Sequence, residues 1–481
     1  MNKKNILKFI SAVGIVVFFA LLIPPAIGFF YGEDIKYYML TIVSLLGINS
    51  FIFFLLKDHV VSLSIKESII SVNLVWLLLG IGGAIPFTIL VDNISFADAF
   101  FESISGFTTT GATIFSNIEG LPHSLLFHRS LMHWLGGMGI IILGVGLLPL
   151  LNPNGSLSLF KAESTGISLD KVSPKIKDTA IKLWSVYCLF TFANFLFLMI
   201  FGMNWFDALS HALSTISTGG FSTKNASLGF YHNDAILWVT IIFMYISSLN
   251  FISHIKFFTG DREAYFHEEF KFLTTMIVLL SLGLALVHYT NSSDSFYTAL
   301  THASFTIVSV ATTTGFATLN YETWGNVAVM IVFFAMVLGG NTGSTAGGIK
   351  SIRHIIFFKN ILFEIKKSLQ PDTISSIFID NKEVKSSTLR SVFGFISLFV
   401  MTIFVTMTYL YARGYDEMSS ISTAISMVGN IGPGFGLTGP AENYSFFTWY
   451  DKMVLSCAMI IGRLECYTVF IIFAKSFWKK F

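Results

Sequence analysis

Four short stretches rich in glycine and in hydroxyl-bearing side chains recur along the 481-residue chain. They read F-T-T-T-G-A-T at 107–113, I-S-T-G-G-F-S-T at 216–223, A-T-T-T-G-F-A-T at 311–318 and V-G-N-I-G-P-G-F at 428–435. Glycine permits backbone dihedrals that turn consecutive carbonyl oxygens to one side, and such oxygens can replace the water around a cation. The pattern predicts a cation site built from main-chain oxygens.

The spacing within these stretches indicates one repeated unit. Asp98 and Asp207 each stand thirteen residues before a glycine, Gly111 and Gly220, and the third copy carries four extra residues, about one helical turn. Small residues also allow close packing of membrane helices, and that alternative would be sufficient for a single copy. Four copies at matching places favour ion coordination. Because none sets a carboxylate beside its glycine, a monovalent cation is favoured over a divalent one.

The composition indicates that these stretches belong to a membrane protein. Of all residues, 53% are hydrophobic and only 12% are charged, against roughly 25% charged residues in an average soluble domain. A helix needs about 20 apolar residues to cross the bilayer. Runs of that length predict ten transmembrane helices, near residues 9–30, 37–56, 69–91, 124–150, 183–203, 235–258, 270–289, 323–361, 391–412 and 449–478.

The segments that end in the glycine stretches are too short to cross, so each must return outward at membrane depth. Irregular backbone is tolerated there only where it is buried or lines water. Their helical parts would aim four C-termini, each worth about −0.5 of a charge, at a common axis. The expected fold is an all-α polytopic membrane protein, in which two N-terminal helices precede four span, pore-helix, span repeats in a pseudo-fourfold arrangement around a central pore.

The repeats also set the expected domain boundaries. Each repeat comprises a span, a half-helix, a glycine loop and a second span. The boundaries are residues 1–60 for the two N-terminal helices and 61–160, 161–262, 263–380 and 381–481 for pore repeats one to four, with an intramembrane loop at 339–349 in the third repeat.

The charges orient the predicted spans. Of the 30 Lys and Arg residues, 24 fall on the side of the two termini, and cytoplasmic loops of membrane proteins carry the excess of basic residues. Both termini are therefore expected in the cytoplasm. The opposite face is acidic, and Asp98, Glu102 and Asp207 are expected to concentrate cations at an external mouth. The alternative is that the acidic balance only reflects the exclusion of basic residues from translocated loops.

These motifs resemble those of the Trk/Ktr/HKT superfamily of potassium transporters, most closely the membrane subunit of bacterial Trk systems. The likeness covers nearly the whole chain and includes G-G-N-T-G-S-T-A-G-G-I-K at 339–350. It implies potassium uptake across the bacterial inner membrane through a gated, channel-like pore. It also implies a selectivity filter that binds potassium through four loops, at Thr109, Thr110, Gly111, Thr218, Gly219, Gly220, Thr313, Thr314, Gly315, Asn430, Ile431 and Gly432.

The stretch at 339–350 interrupts the eighth predicted span. Its glycines disfavour a helix near mid-membrane, and it lacks the GKS or GKT sequence of a phosphate-binding loop. A charge in the last apolar run is costly and usually functional, and we expect Arg463 to bind carbonyls of this stretch, with Lys350 and Arg353 at the inner mouth. The resemblance implies an intramembrane gate formed by Gly339, Gly340, Asn341, Thr342, Gly343, Ser344, Thr345, Ala346, Gly347, Gly348, Lys350 and Arg463.

The resemblance further implies partners for this chain. A homodimer of the membrane subunit is expected to carry a cytosolic, TrkA-like regulatory ring of Rossmann-type domains. Since the chain has no nucleotide-binding fingerprint, ATP, ADP or NAD would act only through that ring. Potassium is the transported ion, no covalent cofactor is expected, the surroundings are the lipid bilayer, and no feature indicates nucleic acid.

Two other functions were weighed against a gated conduit. A symporter that couples potassium to a proton or sodium ion needs a titratable or second ion site near the midplane. Only Arg463 and Glu465 lie there in the sequence, which favours the conduit. A membrane enzyme or anchor is the third function, but paired carboxylates, a metal cluster and a nucleophile-base set are all missing from the sequence, and the longest cytoplasmic loop has only about 30 residues. We expect no enzyme activity.

Overall fold

The fold is that of a helical membrane protein, and a computed structural model describes it at residues 1–137, 139, 176–370 and 376–479. The second half of the predicted span 124–150 lies outside these residues. The expected domain boundary between residues 160 and 161 lies outside them as well. All statements about structure below concern the described residues.

The N-terminal region packs against the first repeat. It consists of α1 (Lys3–Ala20), α2 (Ile23–Phe30) and α3 (Lys36–Leu55), and α1 contacts both α3 and the following helix α4 (Ile65–Leu90). Prolines stand in the first turn of α2, where a missing N–H group leaves no hydrogen bond unmade. Together α1 and α2 form one apolar span, as the sequence predicts.

A long helix, a short helix and a further helix follow one another four times in the rest of the chain. After α4 come α5 (Phe96–Phe107), α6 (His123–Gly137), α7 (Ile176–Ile200), α8 (Trp205–Ile216), α9 (Asp234–Ser247), α10 (Phe251–Phe258), α11 (Glu268–Asn291), α12 (Phe296–Ala311), α13 (Asn326–Val337), α14 (Ser351–Leu369), α15 (Ser386–Ala412), α16 (Glu417–Gly429), α17 (Trp449–Arg463), α18 (Tyr467–Phe470) and α19 (Lys475–Trp478). Between α14 and α15, an antiparallel hairpin is formed by β1 (Phe378–Ile379) and β2 (Lys382–Glu383).

The four short helices, α5, α8, α12 and α16, begin at residues whose side chains cap them. Ser95, Asn204, Ser295 and Asp416 each accept a hydrogen bond from the main-chain N–H three residues later, which satisfies a donor that a helix start leaves free. The helices have 12, 12, 16 and 13 residues in that order. The four extra residues seen in the third copy therefore lengthen α12 by about one turn.

Contacts between the four units close a ring. In each unit the helix after the short helix packs against the short helix of the next unit: α6 against α8, α9 against α12, α13 against α16, and α17 against α5. The short helices are buried along most of their length, whereas the long helices expose apolar side chains such as Phe51, Phe192 and Phe404. This cyclic order is the pseudo-fourfold arrangement that the repeats predict.

Glycines allow the closest contacts within this ring. A Cβ atom on Gly136 of α6 would overlap the main-chain oxygen of Phe107 at the end of α5. A Cβ atom on Gly462 of α17 would likewise overlap the main-chain oxygen of Val428 in α16. Small residues let membrane helices approach until their backbones touch, and close packing explains the glycines at these two positions.

The described helices account for six to eight of the ten membrane spans that the sequence predicts. Six described helices are long and apolar enough to cross a membrane, and eight spans result if each of two bent helix pairs counts as one. The span at 124–150 is described only in its first half. The span at 323–361 is divided into α13 and α14, as the glycines between them predict.

Two predicted spans are not continuous helices. The span at 235–258 is divided between α9 and α10, which meet at 97°, and the span at 449–478 bends by 109° after α17. The sequence gives no sign of these bends because apolar composition carries no information about local capping and dihedrals. Asn250 caps α10 with its side chain, and Glu465 and Cys466 both adopt left-handed dihedrals, with φ of 54° and 58°.

We predict that Gly136→Ala destabilises the protein. Forcing an extra methyl group into a packed site typically costs about 1–3 kcal/mol, so the midpoint of thermal unfolding in detergent should fall. The matched control is Gly47→Ala in α3, where an added Cβ meets no atom within 4 Å and alanine favours the helix. A midpoint for Gly136→Ala that equals the wild-type value would contradict the close contact.

Candidate ion pore

The chain after each short helix adopts the same backbone conformation in all four units. We call these segments loop 1 (108–113), loop 2 (217–223), loop 3 (312–318) and loop 4 (430–435). In each loop one residue has a left-handed φ between 53° and 56°, and a glycine two residues later has φ between 82° and 104°. The non-glycine residues are Thr109, Thr218, Thr313 and Asn430, and the glycines are Gly111, Gly220, Gly315 and Gly432.

The four loops contact one another in a closed ring. A Cβ atom on Gly111 would overlap the main-chain oxygen of Gly219, and one on Gly220 would overlap that of Thr314. One on Gly315 would overlap the oxygen of Ile431, and one on Gly432 would lie 2.6 Å from the oxygen of Thr110. Each loop therefore presses its glycine against the carbonyl that precedes the glycine in the neighbouring loop. Any side chain at these glycines would push two loops apart.

All twelve residues that the sequence analysis proposed for a filter lie in these loops. Hydroxyl groups support two of the loops in the same way, because Thr108 Oγ1 lies 2.7 Å from Thr110 Oγ1 and Thr312 Oγ1 lies 2.8 Å from Thr314 Oγ1. The Asn430 side chain joins loop 4 to loop 1 by donating to Thr110 Oγ1 at 3.0 Å. The loops are thus held by side chains behind their main chain.

Loop 2 has glycine where loops 1 and 3 have threonine, and the structure explains this difference. A Cβ atom on Gly219 would overlap the imidazole ring of His133. That ring stacks on Phe221 with 4.0 Å between the centroids. His133 therefore occupies the space that a threonine side chain takes in loops 1 and 3, and the four quarters of the ring are similar but not equal.

A cavity of about 80 Å³ lies against the ring of glycines. It is lined by the four glycines and by chain that follows them, including Asn225, Thr438 and Glu442. Basic groups also reach its wall, at Arg129 and Lys224. The wall of this cavity is therefore of mixed charge and not uniformly acidic.

A buried ion pair links loops 1 and 2, and it was not predicted from the sequence. Arg129 and Glu102 are 1% and 0% exposed, with 2.7 Å between Arg129 Nε and Glu102 Oε1. Arg129 Nη1 also donates to the Ser222 main-chain oxygen at 3.0 Å. Glu102 accepts from Thr113 Oγ1 at 3.0 Å and from the Ile114 N–H at 2.9 Å. The pair thus holds the chain on both sides of the loop contact.

The expectation that Glu102 and Asp207 attract cations at an external mouth is wrong. Asp207 is only 3% exposed, and it accepts from Thr223 Oγ1 at 2.6 Å and from Tyr231 OH at 2.8 Å. Both carboxylates fix the chain after a loop glycine. The spacing of such residues is visible in the sequence. Glu102 and His211 each stand nine residues before a loop glycine, and each bonds to the side chain two residues after that glycine, Thr113 and Ser222.

Residues 339–350 lie on the other side of the ring, and we call them the gating segment after the role that the resemblance implies. Thr345 Oγ1 donates to the main-chain oxygen of Ile216 at the end of α8, at 3.0 Å. The Gly347 N–H donates to Thr313 Oγ1 at 2.6 Å, and a Cβ on Gly347 would lie 2.5 Å from the Gly429 oxygen. The segment therefore contacts three units where the chain precedes the loop glycines. The cavity is lined by the glycines and by the chain after them, so the segment and the cavity lie on opposite sides of the ring.

The break between α9 and α10 holds the gating segment. It leaves the main-chain oxygens of Ser247 and Ser248 without helical partners, and these accept from Thr345 Oγ1 at 3.1 Å and from the Asn341 N–H at 2.8 Å. The Phe251 N–H at the start of α10 donates back to the Gly343 oxygen at 3.1 Å. Unpaired backbone groups are costly at membrane depth. The groups left free by the break between α9 and α10 therefore form hydrogen bonds with the gating segment, which interrupts the helix between α13 and α14.

Arg463 lies at the end of α17 and reaches the gating segment. Its guanidinium donates to the Thr345 oxygen at 3.1 Å, as expected, and also to the oxygens of Gly136 and Gly137 at 2.8 and 3.1 Å. Glu465, two residues after Arg463, forms an ion pair with Arg353.

The basic residues just past the glycines lie in two different environments. Arg353 is buried against Phe395, with 3.8 Å between guanidinium and ring centroid, so its expected place at the inner mouth is wrong. Lys350 remains at the gating segment, where its ammonium donates to the Ala346 oxygen at 2.5 Å.

We predict that Glu102→Gln destabilises the protein strongly. The substitution leaves the buried Arg129 guanidinium without a counter-charge, and removing one partner of a buried pair costs about 3–5 kcal/mol. The thermal unfolding midpoint in detergent measures this loss. Glu442→Gln is the matched control, because Glu442 lines the same cavity but is exposed. Equal midpoints for the two variants would show that the pair does not support the loops.

Comparison with known proteins gives one consistent family. The family model for TrkH, described as a cation transport protein, matches residues 35–480. The Trk system potassium uptake proteins TrkH of Salmonella typhimurium (strain LT2) and Escherichia coli (strain K12) are 34% and 33% identical over 486 residues, covering 100% of both chains in each case.

A solved structure shows the same fold. The crystal structure of the potassium transporter TrkH from Vibrio parahaemolyticus superimposes with a TM-score of 0.90 at 33% identity, covering 100% of both chains. The ring of four units, the interrupted helix at the gating segment and these full-length matches lead to the same conclusion. The chain belongs to the TrkH family of cation transport proteins.

Proposed function

We propose that this protein takes up potassium across the bacterial inner membrane through a gated, channel-like pore. The observation that carries the proposal is the closed ring of four loops, each with its glycine against the carbonyl of the next. Relatives named as potassium uptake proteins match over the full length of the chain, which supports potassium as the ion.

The chemistry of the loops fits a monovalent cation. Main-chain oxygens can replace the hydration shell of such an ion, and the C-terminal ends of α5, α8, α12 and α16 add partial negative charge next to the loops. The carboxylates nearest to the loops, Glu102 and Asp207, are engaged in hydrogen bonds of the fold. We assign potassium binding to the main chain of Thr109, Thr110, Gly111, Thr218, Gly219, Gly220, Thr313, Thr314, Gly315, Asn430, Ile431 and Gly432.

The gating segment, together with Arg463, is proposed to close the inner side of the pore. Its contacts with three of the four units support this role, because a segment that reaches units on several sides of the axis must cross the ion path. Several of these contacts are single hydrogen bonds, such as those from Thr345 Oγ1 to the Ile216 oxygen and from the Gly347 N–H to Thr313 Oγ1. Each contributes on the order of 1 kcal/mol, so the segment can move aside without unfolding the helices.

The contacts of the acidic residues that the structure describes favour a passive conduit over a coupled symporter. A carrier needs a titratable site that is free to bind its second ion. Glu465, the acid expected near the midplane, is paired with Arg353. Inward movement of potassium is then driven by the membrane potential, at about 2.3 kcal/mol per charge for each 100 mV.

Regulation is proposed to come from separate chains. The described cytosolic segments are short, and the one between α14 and α15 contains two strands of two residues each. We propose that a homodimer carries a TrkA-like ring of Rossmann-type domains, and that ATP, ADP or NAD acts through that ring. Both termini are proposed to lie in the cytoplasm, on the side that carries most of the lysines and arginines.

We predict that Gly315→Ser reduces the discrimination between potassium and sodium by about tenfold, the equivalent of 1.4 kcal/mol. The serine side chain would push loop 3 away from the Ile431 carbonyl. Uptake of rubidium-86 into proteoliposomes, with potassium or sodium as competitor, measures the ratio. The matched control is Gly283→Ser in α11, where an added Cβ has only an ordinary contact, with Ile331 at 3.8 Å. Unchanged discrimination in Gly315→Ser would contradict the filter.

We predict that Thr345→Val raises basal rubidium flux in the absence of any regulatory subunit. Valine keeps the shape of threonine but loses the one hydroxyl hydrogen that Ile216 O and Ser247 O share. Such a bond is worth about 0.5–1.5 kcal/mol, so the increase should be up to about tenfold. Thr408→Val is the control, since the Thr408 hydroxyl bonds only within α15 on an exposed face. Flux at or below the wild-type level in a stably folded Thr345→Val would show that the segment is not a gate.

A further inference from the structure

A single carboxylate holds both ends of the gating segment from the side. Glu269 lies in the first turn of α11, and its Oε1 accepts from the Thr342 N–H at 2.6 Å and from Thr342 Oγ1 at 3.0 Å. The same oxygen accepts from the Ile352 N–H at 3.2 Å. Thr342 stands near the start of the segment and Ile352 just after its end. Hydrogen bonds to an ionised acceptor are roughly twice as strong as neutral ones.

The adjacent residue fastens this helix end to the cytosolic hairpin. The Glu268 N–H donates to Asp380 Oδ1 at 2.8 Å, and the Asp380 N–H donates back to Glu268 Oε1 at 3.2 Å. His267, the residue before α11, makes no capping hydrogen bond with its own side chain. Asp380 therefore caps the N-terminus of α11 although it is far away in the chain. This role usually belongs to a Ser or Asp directly before the helix.

The hairpin also binds the helix that leaves the gating segment. Lys359 in α14 donates from Nζ to the Phe378 main-chain oxygen at 2.7 Å and to Glu268 Oε2 at 2.5 Å. Asp380 and Asn381 both have left-handed dihedrals, with φ of 47° and 62°, as a tight two-residue hairpin turn requires. The hairpin is a compact element joined to α11 and α14, the two helices whose first turns meet at Glu269.

The hairpin and the gating segment line one cavity of about 610 Å³. Asp380 and Lys382 contribute from the hairpin, Asn341 and Thr342 from the gating segment, and Glu269 lies between them. A displacement of the hairpin can therefore change the start of α11 and the carboxylate that holds the gate, without passing through the filter.

We infer that Glu269 is the residue that positions the closed gating segment, and that the hairpin at 378–383 sets Glu269 through the paired contacts of Asp380 and Glu268. The inference rests on the proposed function, in which the gating segment closes the pore. It adds a defined route from the cytosolic surface to the gate. The hairpin is then the element on which a cytosolic protein partner would act.

The test compares basal rubidium-86 flux of the full chain in proteoliposomes. Glu269→Gln removes the charge from the acceptor of three hydrogen bonds and should raise basal flux by about tenfold. Asp380→Asn should raise it less, because it weakens only the cap of α11. The competition ratio of potassium and sodium should not change in either variant, since the filter is intact. Glu269→Asp, which keeps the charge on a shorter side chain, should restore part of the closure.

Glu263→Gln is the matched control, because Glu263 lines the same cavity but its side chain is exposed. Its flux should equal that of the wild type. The double variant Glu269→Gln with Asp380→Asn should match Glu269→Gln alone, since two changes on one route do not add. Additive effects would overturn the route through the hairpin, and wild-type flux in Glu269→Gln would overturn the role of Glu269.

The failure of this inference is distinguishable from the failure of the proposed gate. If Thr345→Val raises flux while Glu269→Gln does not, the gate stands and the inference is wrong. If neither variant raises flux, the gate itself is wrong. Should Glu269→Gln not be recovered folded from the membrane, Asp380→Asn and Glu269→Asp decide, since wild-type flux in both would also overturn the inference.

Discussion

The contact between each loop glycine and the carbonyl of the next loop is the constraint on which the rest of the structure depends. Because every loop both gives and receives this contact, the ring closes only if all four backbones have the same shape. The short helices, their caps and the helices packed behind them serve to bring four such backbones to one axis. The buried pair of Glu102 and Arg129 fixes the chain after two of the loops.

The proposed gate depends on a second constraint, that backbone groups at membrane depth need partners. Helices broken at the gating segment, at Ser248 and at Glu465 expose main-chain groups, and several of these bind one another or the side chain of Arg463. The segment at 339–350 is held by such hydrogen bonds, and Ala346 and Ile349 add buried apolar contacts. The four loops, in contrast, are enclosed by buried helices. In the proposed function, selection of the ion and control of its passage are therefore located in two different regions.

Much of this architecture could be predicted from the sequence, because the repeated glycine stretches carry their own spacing. The short helices, the extra turn of α12 and the interruption at 339–350 all follow from residues near each other in the chain. The bends at Ser248 and Glu465 could not be predicted, since an apolar run looks the same whether it is straight or broken. The pair of Glu102 and Arg129 was also missed, and Glu102 was placed at the surface, because burial depends on packing between residues that are distant in sequence.

The central claim is that the four loops bind potassium with their main-chain oxygens. Anomalous diffraction from crystals grown with rubidium in place of potassium tests it most directly, because rubidium can be located without reference to the protein density. The account predicts an anomalous peak on the axis of the ring, within coordinating distance of the carbonyl oxygens of Thr110, Gly219, Thr314 and Ile431. Well-ordered loops with no peak among these oxygens, or peaks only in the outer cavity, would contradict it.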